Sequence, residues 1–332
     1  MLLMNKLSDS FGRSFPYIRL SITDVCNFKC GYCLPNGYFK TDNTPGFLHL
    51  HEISNLIAAF SDLGVSKIRL TGGEPTVRKD FFDIVNTIKS EHQIQNLVMT
   101  TNGYKLPQIA KQLIQSGLNG INVSIDSLNR NKFKEITGKD RLPEILEGIQ
   151  ILQENNFHNI KVNAVLLKNM NADKEEFEQW ENFVKKNNID FRYIELMQTG
   201  DNFDYFDKYH VSASIFREYL ESKGWKKIDR IRDAGPSINY VHPEFKGKFG
   251  IIAPYSKDFC KTCNRLRVTA KGELRLCLFG NTGIDLRPLL QDQNQKEELK
   301  ELILQQLHFK KESHYLEMGD TGITPHLASI GG

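Results

Sequence analysis

The sequence predicts an α/β fold: a partial, TIM-like (βα)6 barrel with a C-terminal α+β extension that closes the barrel mouth. The first two thirds repeat one unit, a short run of β-branched and apolar residues followed by a helical pattern. Continuous hydrophobic runs are typical of parallel strands buried on both faces. Six units are too few for a complete barrel of eight, so we expect an open barrel with its chemistry at the carboxyl ends of the strands.

Hydrophobic periodicity places each repeated unit along the chain. The predicted strands are Tyr17–Thr23, Lys67–Thr71, Leu97–Thr101, Ile121–Asp126, Lys161–Leu167 and Phe191–Met197. The predicted helices between them include His51–Leu63, Phe81–Ser90, Lys105–Gln115, Leu142–Asn155 and Lys174–Lys186. We expect residues 13–200 to form this barrel.

The pattern changes after about Gly200, and residues 201–332 are predicted to form the extension. Trp225–Pro254 is rich in glycine, proline and aromatic residues, which indicates irregular β-structure. Arg265–Leu278 has the pattern of a hairpin with its turn at residues 270–273. Gln295–Lys310 is predicted to be an exposed helix.

Composition narrows the class of function. The 332 residues are 40% hydrophobic and 25% charged, as in ordinary soluble globular proteins. The formal net charge of +3 is weaker than a broad nucleic-acid surface requires, so we expect no nucleic-acid partner. No apolar run reaches the roughly 18 residues of a membrane span, and the start of the chain lacks a signal-peptide pattern. We therefore expect a cytoplasmic monomer or homodimer without a membrane partner.

Six cysteines form two groups of three, and the first group follows the first predicted strand. Cys26, Cys30 and Cys33 have the spacing CxxxCxxC. Structural zinc sites use four ligands, usually in paired CxxC or Cys/His blocks, and no fourth cysteine or histidine is present in this loop. Three thiolates suit three corners of a cubane iron–sulfur cluster, whose fourth iron stays open for a small chelating ligand.

A second motif, Thr71-Gly72-Gly73-Glu74-Pro75, ends the second predicted strand, where glycine permits close approach of the backbone to a ligand. Alone it is compatible with an ordinary turn between strand and helix. Together with the CxxxCxxC loop it resembles the radical S-adenosylmethionine superfamily. The resemblance implies that the GGEP segment contacts the methionine amino group of the cofactor.

The second cysteine group leaves two alternatives open. Cys260 and Cys263 are followed by Cys277 on the far strand of the predicted hairpin. Zinc with a fourth ligand such as His242 or Asp258 would give a structural site. Alternatively, a second cluster would present an open iron to the barrel mouth, and the presence of the first group favours this interpretation.

The complete motif set resembles the GTP 3′,8-cyclase family of molybdenum cofactor biosynthesis. It comprises CxxxCxxC, TGGEPTVRKD, CxxC-x13-C with NRLR inside it, and the terminal Gly-Gly. The resemblance implies two [4Fe-4S] clusters, on Cys26, Cys30 and Cys33 and on Cys260, Cys263 and Cys277. It implies that Tyr32, Gly73, Ser124 and Met197 bind S-adenosylmethionine, and that Arg19, Arg69, Thr100, Lys161, Arg265 and Arg267 bind GTP. It further implies catalytic roles for Arg265, Arg267, Gly331 and Gly332.

The physical chemistry of the strands supports part of this assignment. Arg19, Arg69 and Lys161 lie within runs predicted to be buried, and a buried cation requires an anionic partner. A triphosphate would be such a partner, although an internal ion pair is an alternative for any one of them. Arg265 and Arg267 alternate on a strand and therefore share one face. For the terminal glycines, a frayed tail is the simpler interpretation without the family.

The resemblance also implies a reaction and its partners. A 5′-deoxyadenosyl radical removes hydrogen from C3′ of GTP, the C3′ radical attacks C8, and reduction gives 3′,8-cyclo-7,8-dihydro-GTP. A reductant protein and cyclic pyranopterin monophosphate synthase are the expected partners. Two other hypotheses stay open: a radical S-adenosylmethionine enzyme acting on a peptide, and a non-catalytic zinc-stabilised module that binds nucleic acid. The near-neutral charge argues against the latter.

Overall fold

The computed structural model describes residues 7–40, 46–230, 235–324 and 326–330. Within them, twelve strands form one sheet. The strands are β1 Tyr17–Ser21, β2 Lys67–Thr71, β3 Asn96–Thr101, β4 Gly120–Ser124, β5 Ile160–Leu166, β6 Asp190–Glu195, β7 Lys226–Ile228, β8 Ile238–Val241, β9 Phe249–Ile252, β10 Arg265–Val268, β11 Glu273–Arg275 and β12 Ile284–Asp285. The six predicted strands correspond to β1–β6, with ends that differ by at most two residues.

The α-helices of the described residues alternate with the first six strands and continue beyond them. They are α1 Leu50–Asp62, α2 Phe81–Ser90, α3 Leu106–Gln115, α4 Arg130–Thr137, α5 Leu142–Glu154, α6 Lys174–Asn187, α7 Phe203–Tyr209, α8 Ser214–Ser222 and α9 Lys296–Leu307. The sequence did not predict α4, α7 or α8, and α9 is the predicted helix of the extension. No helix among the described residues has both the length and the apolar character to span a membrane.

The strand order is β12-β11-β10-β1-β2-β3-β4-β5-β6-β9-β8-β7. The sequence predicted six parallel strands, and β9 and β10 extend them to eight, because β9 pairs in parallel with β6 and β10 with β1. The predicted hairpin is confirmed, since β10 and β11 are antiparallel. The extension therefore continues the barrel sheet at both of its edges. The division at residue 200 stays a prediction.

Strand alternation separates the hydrophobic core from the barrel interior. In β5, Ile160, Val162, Ala164 and Leu166 are buried in the main hydrophobic core. The alternate residues of β5 are only half-buried, and they belong to the face that looks into the barrel. Polar groups needed for chemistry therefore occupy inward positions without disturbing the layer between sheet and helices.

Local signals fix the helix ends between the strands. At α6, the Asp173 side chain accepts a hydrogen bond from the backbone N–H of Glu176, and Asn188 ends the helix in the left-handed conformation. At α4, Asn129 caps the first turn and Gly138, with φ of 69°, ends the last. These caps direct the chain back to the next strand.

Candidate active site

One cavity inside the barrel brings together both groups of cysteines. All six cysteines line it, and all are free thiols. The inward residues of the strands complete the wall: Tyr17, Arg19, Lys67, Arg69, Thr71, Thr100, Asn122, Ser124, Asn163, Val165, Arg192, Ile194, Ile252, Arg265 and Arg267. The structure thus places both predicted cysteine sites and, apart from Lys161, the predicted anion-binding residues around a single space.

The first cysteine loop is held against the GGEP segment by backbone contacts. The N–H of Gly73 donates to the Thr23 carbonyl at 2.8 Å, and the N–H of Glu74 donates to the Val25 carbonyl at 2.8 Å. A Cβ added to Gly73 would lie 2.3 Å from the Val25 carbonyl oxygen. Gly72 has φ of 153° and would place a Cβ 2.4 Å from the Thr23 carbonyl oxygen. Only glycine permits this approach, which positions Cys26.

The carboxylate of Glu74 connects the ends of β2 and β3 beneath this loop. It is fully buried and accepts hydrogen bonds from the Thr76 and Thr101 hydroxyls, at 2.6 and 2.8 Å, and from the Asn102 N–H at 2.6 Å. Burial raises its pKa, while these donors act in the opposite direction. The Asn102 side-chain amide in turn donates to Asn27 Oδ1 at 2.8 Å. The network orders the first cysteine loop.

The thiols of the first group lie in a poorly solvated environment. Burial raises the pKa of Cys26 to about 11 and that of Cys33 to about 12. It raises the pKa of Cys30 well above its usual value, and Asp126 and the neighbouring thiols add to the effect. Charge-balancing metal is therefore required for these groups to be thiolates together.

The second group differs from the first at Cys263. Burial would raise the pKa of Cys263, but Arg265, Lys310 and Arg267 together lower it to about 7. Burial raises the pKa of Cys260, opposed by hydrogen bonds from the His314 backbone and the Ser313 side chain. The cationic surroundings of Cys263 favour its thiolate, the form that binds metal.

The first donor set suits a cubane cluster. Across the described ranges, no three His, Cys, Asp or Glu side chains converge to hold one metal ion. In a cubane cluster each thiolate binds a different iron, so the three ligands surround a volume rather than a point. Three free thiols facing one cavity match that requirement, and Cys26, Cys30 and Cys33 would hold the first cluster.

Cationic side chains stand side by side on neighbouring inward strand faces. Arg19 of β1 is in register with Arg69 of β2 and with Arg267 of β10, while Arg265 of β10 is in register with Tyr17. The Nε atoms of Arg265 and Arg267 are buried without a hydrogen-bond partner among the described residues. Burial, followed by the charge of Arg265, lowers the pKa of Arg267 to about 10. Such a row is stabilised when an anion binds to it.

Arg69 and Thr100, both predicted to bind GTP, contact each other. Nη1 of Arg69 donates to Thr100 Oγ1 at 3.2 Å, and its Nε donates to the phenol oxygen of Tyr17 at 2.6 Å. Burial would raise the pKa of Tyr17, but Arg69 and Arg19 outweigh it and lower the value to about 7. The cationic row thus favours the deprotonated form of the Tyr17 phenol.

Lys161 differs from the expectation that it needs an external anion. Its Nζ lies 3.4 Å from Asp190 Oδ2 and donates to Asn159 Oδ1 at 3.1 Å, and it is absent from the cavity wall. Its side chain is 26% exposed. Burial lowers its pKa, partly offset by Asp190. Because an internal carboxylate already pairs with Lys161, burial alone does not argue for a triphosphate here.

The four residues predicted to bind S-adenosylmethionine all line the cavity. They are Tyr32, Gly73, Ser124 and Met197. The Tyr32 hydroxyl donates to Asp126 Oδ2 at 2.9 Å, and the other oxygen of Asp126 accepts the Val165 N–H at 2.8 Å. Burial raises the pKa of Asp126 to about 6.

The last described residues of the C-terminal segment lie beside Cys33 of the first group. A short 3-10 helix, Leu327–Ile330, places Leu327 and Ala328 in the cavity wall, and the backbone of Ala328 hydrogen-bonds the Cys33 thiol. Upstream, Thr324 Oγ1 donates to the Leu278 carbonyl at 2.6 Å, which ties the segment to the second cysteine group. Gly331 and Gly332 lie outside the described residues, so their catalytic role stays a prediction.

Sequence reasoning missed Arg192, which lines the cavity from β6. Its buried Nε has no hydrogen-bond partner among the residues that the structure describes. Burial lowers its pKa to about 10, and Asp190 acts in the opposite direction. The signal was present, because Arg192 interrupts the predicted strand Phe191–Met197 just as Arg19 interrupts the first strand.

Comparison with known proteins agrees with this geometry. Residues 20–184 match the family model of the radical SAM superfamily, and residues 189–316 match the model Molybdenum Cofactor Synthesis C. The crystal structure of Streptococcus suis SuiB bound to S-adenosylmethionine is similar with a TM-score of 0.59, at 15% identity. The match covers 82% of this chain and 64% of SuiB, so the chain spans less than two thirds of that protein. The protein is a radical S-adenosylmethionine enzyme.

Curated relatives identify the family more closely. The chain is 52% identical over 329 residues to a GTP 3′,8-cyclase of Stenotrophomonas maltophilia strain K279a, covering 99% of this chain and 100% of that protein. It is 48% identical to the GTP 3′,8-cyclase of Haemophilus influenzae strain 86-028NP, covering 99% and 97%. The chain belongs to the GTP 3′,8-cyclase family.

Proposed function

We propose that this chain converts GTP into 3′,8-cyclo-7,8-dihydro-GTP, the first step of molybdenum cofactor biosynthesis. The observation that carries the proposal is the shared cavity, in which six free cysteines face a row of inward arginines. A redox-active site and an anion site in one enclosed space suit a radical reaction on a nucleoside triphosphate. Membership of the cyclase family supports the same activity.

At the first site, Cys26, Cys30 and Cys33 would hold a [4Fe-4S] cluster. With S-adenosylmethionine, this cluster supplies the 5′-deoxyadenosyl radical that removes hydrogen from C3′ of GTP. Tyr32, Gly73, Ser124 and Met197 bind S-adenosylmethionine in this proposal, since they line the same cavity as this loop. Their common task is orientation, because a reactive radical must form next to the one hydrogen it removes.

The triphosphate of GTP binds the cationic row. Arg19, Arg69, Arg265 and Arg267 offer guanidinium donors from three adjacent strands, and Thr100 is held by Arg69. Guanidinium groups bind phosphate oxygens through paired hydrogen bonds, so these arginines fix the triphosphate in one orientation. Lys161 would join them only by exchanging Asp190 for a phosphate oxygen.

At the second site, Cys260, Cys263 and Cys277 would hold a second [4Fe-4S] cluster. This cluster would supply a Lewis-acidic iron for the substrate, while Arg265 and Arg267 bind the same substrate from β10. The low pKa of Cys263 supports metal binding at this site, although it does not choose iron over zinc.

The tail and the partners complete the proposal. Gly331 and Gly332 would extend into the cavity, since the segment before them already contributes to its wall. Their contribution would be to exclude water and hold the substrate. A reductant protein would supply electrons, cyclic pyranopterin monophosphate synthase would take the product, and the enzyme would act as a monomer or homodimer in the cytoplasm.

The proposal is tested by anaerobic reconstitution with iron and sulfide. After reduction, S-adenosylmethionine is added with GTP or ATP, and 5′-deoxyadenosine is measured together with iron and zinc. We expect about eight irons per chain, as two cubane clusters require, and cleavage that GTP stimulates more than ATP. About four irons with zinc would refute the second cluster. Equal cleavage with both nucleotides would refute the cyclase.

A further inference from the structure

We infer that Arg13 is a positioning residue for the second cysteine site. This inference rests on the proposed second cluster on Cys260, Cys263 and Cys277. It concerns a residue outside the cavity wall that is joined to the site through hydrogen bonds to backbone carbonyls.

The Arg13 guanidinium connects three distant parts of the chain. Nη1 donates to the Cys260 carbonyl at 3.2 Å and to the Glu312 carbonyl at 2.6 Å, and Nη2 donates to the Lys311 carbonyl at 2.7 Å. The side chain is only 7% exposed. A planar fork of donors matches such a set of diverging acceptors, whereas an ammonium group does not.

Asp9 holds the guanidinium in this orientation. Its Oδ2 accepts from Arg13 Nε at 2.6 Å, and its side chain is completely buried. Its Oδ1 accepts the backbone N–H groups of Phe11 and Arg13, at 3.0 and 2.9 Å, and the turn between them uses the left-handed conformation of Gly12. The turn and the ion pair therefore pre-orient the fork before it meets the cysteine loop.

Two of the carbonyls that Arg13 binds belong to the residues just before the donors of the Cys260 thiol. Ser313 and His314 follow the clamped residues Lys311 and Glu312, and both hydrogen-bond the Cys260 sulfur. One guanidinium thus fixes the backbone of a metal ligand and also the segment that donates hydrogen bonds to that ligand. Such outer contacts orient ligands and adjust the properties of the metal group that they bind.

The test measures iron at the second site alone. In the full chain, Cys26, Cys30 and Cys33 are replaced by alanine, the protein is reconstituted anaerobically, and iron loss to a ferrous chelator is followed. Adding Arg13→Ala should accelerate the loss roughly 10- to 100-fold, the usual size of outer-shell effects. The matched control is Arg141→Ala, because Arg141 is exposed and its partner Glu144 lies three residues away. Arg13→Lys should give an intermediate rate.

Two further measurements separate positioning from folding. Circular dichroism melting shows whether each variant is folded at the assay temperature, and Arg13→Lys keeps the test valid if Arg13→Ala unfolds. In the reciprocal background, with Cys260, Cys263 and Cys277 replaced by alanine, Arg13→Ala should leave iron retention at the first site unchanged.

The outcomes are distinct. If the background with only the second site holds no iron, the proposed second cluster fails and the role of Arg13 falls with it. If that background holds about four irons and the folded Arg13 variants lose them no faster than Arg141→Ala, the inference about Arg13 is overturned while the cluster stands. Equal acceleration at both sites would also overturn it.

Discussion

Replacement of Gly73 by alanine should damage the first metal site through a steric effect that can be sized from the structure. The added Cβ would lie 2.3 Å from the Val25 carbonyl oxygen and 2.7 Å from the Asp24 carbonyl oxygen. The first distance is about 0.7 Å inside the 3.0 Å that real Cβ contacts respect. All the nearest atoms are backbone, so no side chain can move aside, and the cysteine loop itself must shift.

This displacement should change both the free energy of unfolding and the retention of metal. Overpacking of this kind lowers the free energy of unfolding by about 1 to 3 kcal/mol. The shift also disturbs the hydrogen bonds of Gly73 and Glu74 to the loop that precedes Cys26, and outer-shell damage lowers metal retention roughly 10- to 100-fold.

The assay is carried out with Cys260, Cys263 and Cys277 replaced by alanine, so that iron reports on the first site alone. Urea denaturation of the metal-free protein gives the free energy of unfolding, and a ferrous chelator gives the rate of iron loss. The control is Gly46→Ala, because a Cβ at Gly46 has no atom within 4 Å among the described residues. If Gly73→Ala matched this control in both measurements, the steric reasoning would be refuted.

Three further predictions concern the substrate site and the tail. Arg267→Met should weaken GTP binding at least about tenfold, since a charge-assisted hydrogen bond contributes roughly 1.5 to 3 kcal/mol. The same variant should raise the melting temperature of the nucleotide-free protein in calorimetry, because it removes one member of a buried cationic row. Tyr17, whose pKa of about 7 lies below its unfolded value of 10.0, binds fewer protons folded than unfolded between these values. The stability of the fold should therefore rise with pH from 7 to 10, and this gain should be lost as the pH falls through 7. GTP binding should be accompanied by the uptake of a proton at Tyr17, which tyrosinate absorbance follows. Tyr17→Phe should abolish this uptake. Thr324→Val removes the hydroxyl that donates to the Leu278 carbonyl, so it should lower turnover while iron content stays at the parent level; unchanged turnover would contradict the anchoring of the tail.

The repeating part of the fold could be predicted because its signal is local. Each strand from β1 to β6 is a buried apolar run, and β2 has the predicted bounds Lys67–Thr71. The parallel pairing of β9 with β6 and of β10 with β1 could not be predicted, because both are four-residue segments whose partners are distant in sequence. Pairing over such separations depends on tertiary packing rather than on propensity.

In the candidate site, too, the residues with a local sequence signal could be predicted and those defined by tertiary contacts could not. Cysteine spacing singled out both groups of thiols that line the cavity, and alternation on β10 placed Arg265 and Arg267 on one face, as the structure has them. Lys161 shows the limit of reasoning from burial, since its partner Asp190 is brought beside it only by the register of β5 and β6. Arg13 carried no motif, and its importance emerges only from contacts with residues more than 240 positions away.

The central claim is that the first site generates a radical that removes the hydrogen at C3′ of GTP. The most direct test uses GTP labelled with deuterium at C3′, incubated anaerobically with the reconstituted, reduced enzyme and S-adenosylmethionine. Mass spectrometry of the 5′-deoxyadenosine then reports where its new hydrogen came from. The proposal predicts 5′-deoxyadenosine that carries one deuterium, formed together with 3′,8-cyclo-7,8-dihydro-GTP. Unlabelled 5′-deoxyadenosine formed alongside that product would contradict it.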